Sequence, residues 1–200
     1  MTHNTNREES AEYYDNIFKT SAMYAKDAEN VGHNHPEIWK LCANYLLKID
    51  AKNVVDIGCG PGHLMQILEK KINLSRYWGY DFSKQAISMA NEKNKNKQVY
   101  TYTVADVFET DIVSDKPYDT VYVSFEFLEH VNRDIDVIKK IPKGSKFVFS
   151  VPNFWCKGHV RVFKSKKDIF DRYGELLEIK NITQLISGST IRFFCVSNKK

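Results

Sequence analysis

Apolar positions along the chain change their period once, near residue 52. Before it, residues 7–24 place Tyr14, Ile17, Phe18 and Ser21 at helical spacing, and residues 36–49 place Ile38, Leu41, Cys42, Tyr45, Leu46 and Ile49 on a second stripe. Two helices are therefore predicted ahead of the first strand. Pro36 suits the first turn of the second, where a missing N–H breaks no intrahelical bond. Beyond Lys52, short β-branched and aromatic runs at 53–57, 77–81, 98–104, 118–124 and 146–151 alternate with helical patterns. The segments 62–71, 83–93 and 132–141 read as those helices, with Ser83 as an N-cap and Pro142 and Gly144 closing the third. Such alternation predicts βαβ crossovers and a parallel sheet. The last quarter predicts a helix over 164–173, a sixth strand over 175–182, a turn-rich stretch over 183–189 and a seventh strand over 190–198. That final hairpin is expected to add an antiparallel edge strand. The expected fold is α/β, a doubly wound, seven-stranded, mostly parallel sheet with an antiparallel C-terminal strand. It forms one domain over residues 1–200, with 1–50 as a helical cap and 51–200 as the core.

Composition narrows the function classes. At 200 residues, 42% of them hydrophobic and 27% charged, the chain has room for one core and no second full domain. A net charge of +4 is too mild to announce a nucleic-acid binder. The lysines at 139, 140 and 143, and at 164, 166 and 167, lack interleaved aromatics and read as solvated faces. The Asn/Lys run at 91–97 reads as a solvated helix end. No run approaches the roughly 18 apolar residues of a membrane span, and the first thirty residues carry no signal-peptide pattern. Cys42, Cys59, Cys156 and Cys195 form no C-x-x-C pair and read as reduced thiols. A cytoplasmic protein without a membrane partner is expected, and nothing in the pattern specifies an oligomeric state.

Chemistry concentrates in residues 54–64, a buried strand running into a glycine-rich turn that opens a helix. Gly58, Gly60 and Gly62 follow a G-x-G-x-G spacing, which lets backbone approach a ligand without Cβ obstruction. The spacing departs from G-x-G-x-x-G, so the usual pyrophosphate cradle is not reproduced. Asp56 at the strand end would repel a pyrophosphate and could receive the ammonium of an amino-acid-like ligand. Asp81 closes the second strand and is placed for the two hydroxyls of a ribose, with Phe82 beside an adenine face. Asp106 follows the third strand, next to Val107, where its carboxylate could accept from an exocyclic amine. Ser124 ends the fourth strand and is expected to face the same crevice. A lone strand-end Asp serves equally well as an N-cap or turn residue. Three at successive strand ends, around a glycine turn, point to a ligand.

Residues 56–62 resemble the D-x-G-C-G-x-G motif of the class I S-adenosylmethionine-dependent methyltransferases, with further landmarks at Asp81, Asp106 and residues 118–121. The resemblance is close over roughly residues 50–152. It implies a Rossmann-like fold, S-adenosyl-L-methionine as cofactor, and methyl transfer to an oxygen or nitrogen of a small-molecule acceptor. A sulfonium already makes the methyl electrophilic, so the protein has mainly to align a nucleophile and remove a proton. Candidate bases lie in residues 124–131, where a helical turn would put Glu126, Glu129 and His130 on one face. The L-E-H-V portion is similar to a segment of many small-molecule methyltransferases, including the O-methyltransferases of quinone biosynthesis.

A sharper version resembles the small-RNA terminal 2′-O-methyltransferases, in which two Glu and a His join a later His, here His159, at a divalent metal. The step of 29 positions from His130 to His159 is shorter than that resemblance would imply, and no RNA clamp is recognisable. No metal is therefore expected, and His130 and His159 stand as catalytic candidates, bases or substrate orienters. His33, His35 and His63 are expected to be structural. Tyr13, Tyr14, Tyr24 and Trp39 either offer aromatic surface to the acceptor or pack the cap onto the sheet. A cofactor-binding sensor without turnover, or a metal-assisted RNA enzyme, are the competing readings. A nicotinamide-dependent dehydrogenase is disfavoured by Asp56 and the glycine spacing.

Overall fold

Residues Asn53–Ile57 form strand β1, and all five are buried, the signature of a strand covered on both faces. The computed structural model describes residues 7–32, 35–93, 99–112 and 119–200. His33, Gln98, Tyr118 and residues 94–97 of the Asn/Lys run lie outside the described residues. β1 lies between β2 (Arg76–Asp81) and β4 (Thr120–Ser124), parallel to both, with Val54 opposite Tyr77 on one side and Val121 on the other. β3 (Tyr100–Val104) lies outside β2, and β5 (Lys146–Pro152) follows β4. With β6 (Leu177–Ser187) and β7 (Thr190–Lys199), the sheet has seven strands in the order β3-β2-β1-β4-β5-β7-β6. The strand order reverses at β1 and β4, and ligands of open α/β sheets bind in the crevice that such a reversal opens.

Alternate residues of the strands face two cores. Val54, Tyr77, Val121 and Val148 pack with α3 (His35–Lys48), α4 (His63–Leu68) and α5 (Lys84–Lys93). Val55, Ile57, Tyr122 and Phe149 pack with α6 (Asp134–Lys140) and α7 (Lys166–Tyr173) on the other face. α7 starts on a capping box in which the Ser165 side chain and the Asp168 carboxylate satisfy each other's backbone N–H.

Two expectations change. Residues 183–187 continue β6 instead of turning, and only Gly188 and Ser189 separate the last two strands. The hairpin supplies the expected edge strand, with β6 outermost and the antiparallel β7 inserted between β5 and β6. Burial explains that order. Phe193 and Cys195 are fully buried, so β7 needs neighbours on both sides, whereas β6 is largely exposed beyond Ile182. The first predicted helix is interrupted as well, because Ser21 adopts an extended conformation between α1 (Ala11–Thr20) and α2 (Ala22–Ala25). No residue of α1 is fully buried. Its Tyr14, Ile17 and Phe18 instead look into the crevice.

Candidate active site

The carboxyl ends of the strands open into a cavity of about 570 Å³, a size suited to a small-molecule ligand. Its floor is the glycine turn. Gly58, Gly60 and Gly62 all take positive φ, at 74°, 52° and 75°, which residues with a Cβ adopt only under strain. A Cβ on Gly58 would stand 2.5 Å from Cδ2 of Phe127, so no side chain fits there, whereas one on Gly60 would meet only Phe18 at 3.8 Å. The N–H groups of Gly58 and Cys59 donate to the Tyr80 carbonyl at 2.8 and 3.0 Å, tying the turn to the end of β2.

The acidic strand tips gather around this turn. Asp56, Asp81, Phe82, Asp106 and Val107 all line the cavity. The Asp81 carboxylate accepts from the Gly60 N–H and the Ser83 N–H, each at 2.9 Å. Those bonds use two of its roughly four lone-pair sites and leave the others for a ligand. Asp56 is buried and accepts from the Tyr77 hydroxyl at 2.5 Å. Burial, partly opposed by that bond, pushes Asp56 up to about 7. Burial likewise raises Asp81 to about 6 against its two backbone donors. A carboxyl whose folded value is raised stabilises the fold below its ordinary range and loses that contribution as pH climbs through the folded value. The ligand-free protein should thus lose stability between about pH 4 and 7 on account of these two groups. The ammonium of an amino-acid ligand binds the ionised form. Affinity for S-adenosylhomocysteine should then rise roughly tenfold from pH 5.5 to 7.5 in calorimetric titration, and a flat profile would count against the cradle.

Two expected contacts fall elsewhere. Gly62 is outside the lining, and a Cβ there would stand 3.0 Å from the Tyr102 hydroxyl and 3.2 Å from Ala90. Its bareness lets α4 seat closely against β3 and α5. Ser124 is fully buried and donates to the Ile57 carbonyl at 3.0 Å, so its hydroxyl fastens β4 to β1 instead of facing the cavity.

Beyond β4 the chain makes turns, not the helix that would align Glu126, Glu129 and His130. Glu126 has φ 53°, outside the helical conformation that spacing would require. It accepts from Nε of Arg192 at 2.9 Å and lies 3.4 Å from Nε2 of His35. Burial alone would raise Glu126, but His35 and Arg192 hold it below the usual carboxylate range. His35 therefore lines the site, contrary to its expected structural role, and Arg192 arrives from β7 with no local sequence signal. His63 opens α4, where it bonds the Lys26 carbonyl at 3.0 Å, and like His35 it also lines the cavity.

His130 and His159 come together, their ring centroids 4.7 Å apart, and both line the cavity. Burial, reinforced by His159, pushes His130 down to about 4. Burial also lowers His159. Both rings are accordingly neutral near pH 7. The Tyr14 hydroxyl lies 2.9 Å from Nδ1 of His130, a link no local pattern announces, and with Tyr13, Tyr24 and Trp39 it makes the cap a wall of the site. Behind them Glu129 is fully buried, and burial together with Glu126 raises its carboxyl well above the ordinary range.

A reversed parallel sheet with a glycine turn and acidic strand tips at its crevice defines a Rossmann-like nucleoside-binding domain. Residues 54–143 match the family model described as a methyltransferase domain. The mitochondrial ubiquinone biosynthesis O-methyltransferase of Dictyostelium discoideum is 33% identical over 121 residues, 52% of this chain and 37% of that protein. The chain thus spans well under half the length of that relative. The magnesium protoporphyrin IX methyltransferase of Synechocystis PCC 6803, solved with S-adenosylmethionine, superposes with TM-score 0.66 at 13% identity, covering 96% of this chain and 98% of that one. The N-methyltransferase NodS of Bradyrhizobium japonicum, solved with S-adenosylhomocysteine, gives 0.68 at 15% identity, covering 96% and 100%. Residues 54–143 thus resemble a methyltransferase domain, and the chain shares the fold of methyltransferases solved with S-adenosylmethionine or S-adenosylhomocysteine.

Proposed function

We propose that the protein methylates an oxygen or nitrogen of a small molecule, with His130 as the proton acceptor. The observation that carries this reading is a pair of neutral imidazoles in the cavity wall beside the glycine turn. The quinone-biosynthesis relative, itself named an O-methyltransferase, favours oxygen. The cofactor, when bound, supplies a methyl group made electrophilic by a positive sulfur. Asp81 would take the ribose hydroxyls with its free lone pairs, Phe82 and Val107 the adenine faces, and Asp106 the exocyclic amine. Asp56 would answer the ammonium, over the bare backbone of Gly58 and Gly60. As the bond from acceptor to methyl forms and the bond from sulfur to methyl breaks, the acceptor's proton passes to Nε2 of His130. In the tautomer this needs, Nδ1 would carry the ring proton, with the Gly158 carbonyl at 3.1 Å and the Tyr14 hydroxyl oxygen at 2.9 Å as acceptors. Aromatic rings of Phe18, Tyr24 and Trp39 in the lining suit a planar or apolar acceptor.

Among the described residues no helix is long and apolar enough to cross a membrane. The free thiols of Cys42, Cys59, Cys156 and Cys195 support a reducing compartment, and the cytoplasm is proposed. The experiment is a product assay for S-adenosylhomocysteine against a panel of phenols, catechols and amines, with calorimetry of cofactor binding alongside. His130→Ala should lower turnover about 100-fold or more while leaving cofactor affinity within a few-fold. Undiminished turnover in that variant would remove His130 from the chemistry. Cofactor binding without product on any acceptor would point to a sensor.

A further inference from the structure

Six carboxylates line the cavity, and five of them already accept hydrogen bonds from the protein. Asp56 takes the Tyr77 hydroxyl, Asp81 the N–H groups of Gly60 and Ser83, and Asp106 the Phe108 N–H at 2.8 Å. Glu126 holds Arg192, and Glu8 accepts from the backbone and side-chain N–H groups of Asn132 at 2.8 and 3.1 Å. Glu9 is the exception. It is only 9% exposed, and its Oε1 is closed to water with no hydrogen-bond partner among the described residues. Nε of Arg7 stands 3.9 Å from that oxygen, too far for a hydrogen bond, on a side chain that is 71% exposed. A carboxylate stripped of water without a donor in return carries a cost that an incoming cation would offset.

Glu9 also lies beside the proposed base. A Cβ on Gly158 would stand 3.1 Å from the Tyr14 hydroxyl, 3.2 Å from Nδ1 of His130 and 3.7 Å from Cγ of Glu9, so one bare glycine separates carboxylate from imidazole. Burial, with the charge of Glu9 behind it, raises the Tyr13 hydroxyl, which sets that ring near the carboxylate as well. Aromatic faces and a carboxylate are the two kinds of surface that receive an ammonium group. The Lys and Arg side chains of the lining are engaged elsewhere: Arg192 is held by Glu126, and Nζ of Lys157 lies over the Tyr13 ring, 4.5 Å from its centroid.

We infer that Glu9 recognises the acceptor by receiving an ammonium group carried on it, at a position other than the methylated atom. An ammonium nitrogen has no lone pair with which to attack a methyl group, so the group at Glu9 is an anchor and not the nucleophile. The nucleophile meets Nε2 of His130, whereas Glu9 lies on the Nδ1 side of the same ring. An acceptor that satisfies both ends is a planar ring with a hydroxyl at one side and a short cationic arm at the other, in keeping with the aromatic lining. Holding it at two points is what alignment behind the methyl group requires. The role of the hydroxyl rests on the methyltransferase reading of the cavity, and the preference for a cation rests on Glu9 alone.

The test titrates the full chain calorimetrically, with and without saturating S-adenosylhomocysteine, with dopamine, hydroxytyrosol and dihydroxyphenylacetate. These catechols differ in whether the short arm ends in an ammonium, a hydroxyl or a carboxylate. Dopamine should bind about 10-fold or more tighter than hydroxytyrosol, with dihydroxyphenylacetate weakest. Glu9→Gln should erase that preference and leave hydroxytyrosol affinity within about threefold, with circular dichroism confirming the fold. In turnover the same variant should raise KM for dopamine about 10-fold and leave kcat within a few-fold, a split that loosening of the site would not give. Glu9→Lys, a second variant, should turn the preference toward dihydroxyphenylacetate. The inference is overturned if dopamine binds no tighter than hydroxytyrosol, the absence of heat from all three included, or if a folded Glu9→Gln protein keeps the preference. S-adenosylhomocysteine is also titrated into the protein alone. Cofactor binding without an ammonium preference sinks the role of Glu9 by itself, and an ammonium preference without cofactor binding sinks the methyltransferase reading of the cavity instead.

Discussion

Asp134→Ala should cost the fold about 3–5 kcal/mol, the largest loss expected from any single truncation considered for this molecule. Asp134 is fully buried. It accepts from Nε and Nη2 of Arg172 at 2.7 and 2.6 Å and from the Tyr173 hydroxyl at 2.7 Å, and it lies 3.3 Å from Nη2 of Arg161. Removing it leaves the buried Tyr173 hydroxyl without its acceptor and takes the carboxylate away from Arg161 and from the partly exposed Arg172. A buried pair broken on one side is costly for that reason, even where the intact pair adds little. For a chain of this size the loss corresponds to a fall of about 6–20 °C in melting temperature. Asp134→Asn keeps an acceptor for Tyr173 and should fall less far. A thermal melt of the alanine variant within 3 °C of the parent would show that the network is dispensable. Because Arg161 also grips the turn ahead of α6, the damage should extend to the alignment of His130.

Asp81→Ala should weaken S-adenosylhomocysteine binding by about 2–3 kcal/mol, roughly 30- to 150-fold. The carboxylate does two things at once. Its lone pairs not used by protein are available to ligand hydroxyls, and its bonds to the Gly60 and Ser83 N–H groups hold the glycine turn against the start of α5. Truncation removes the recognition and loosens the floor of the cavity. The companion measurement is the melt of the ligand-free variant. Burial raises the Asp81 carboxyl, so discharging this site relieves a cost while the two N–H groups lose their acceptor, and the net change in stability should be small beside the loss of affinity. Affinity within threefold of the parent would place the ribose elsewhere.

The legible part of this molecule was what local periodicity encodes. Residues 53–57 and 146–151 appear as strands close to where the pattern put them, and Ser83 precedes α5. The acidic strand tips could be read because β1, β2 and β3 end where glycine, aromatic and acidic residues replace the apolar run. What stayed hidden depends on tertiary partners. Nothing near Arg192 says that it will meet Glu126, 66 residues earlier, and nothing near Tyr14 says that it will reach His130, 116 residues away. The left-handed conformation of Glu126 belongs to the same class, since it follows from packing and cannot be inferred from a helix-compatible spacing. Ser124 was misplaced because a strand-end hydroxyl has two outlets, the crevice and the neighbouring strand, and register alone decides between them.

The position of β7 carries a consequence for biosynthesis. β5 pairs with β4 on one side and finds its other lateral neighbour in residues 190–199, and β6, made earlier, joins the sheet through that same segment. During translation the apolar rim Phe147–Phe149–Val151 must therefore wait on the ribosome as an open template, the situation in which nascent chains stick to one another. Arg192 travels on the same segment, so a nascent polypeptide stalled before residue 190 would carry the glycine turn with Glu126 facing His35 and no guanidinium.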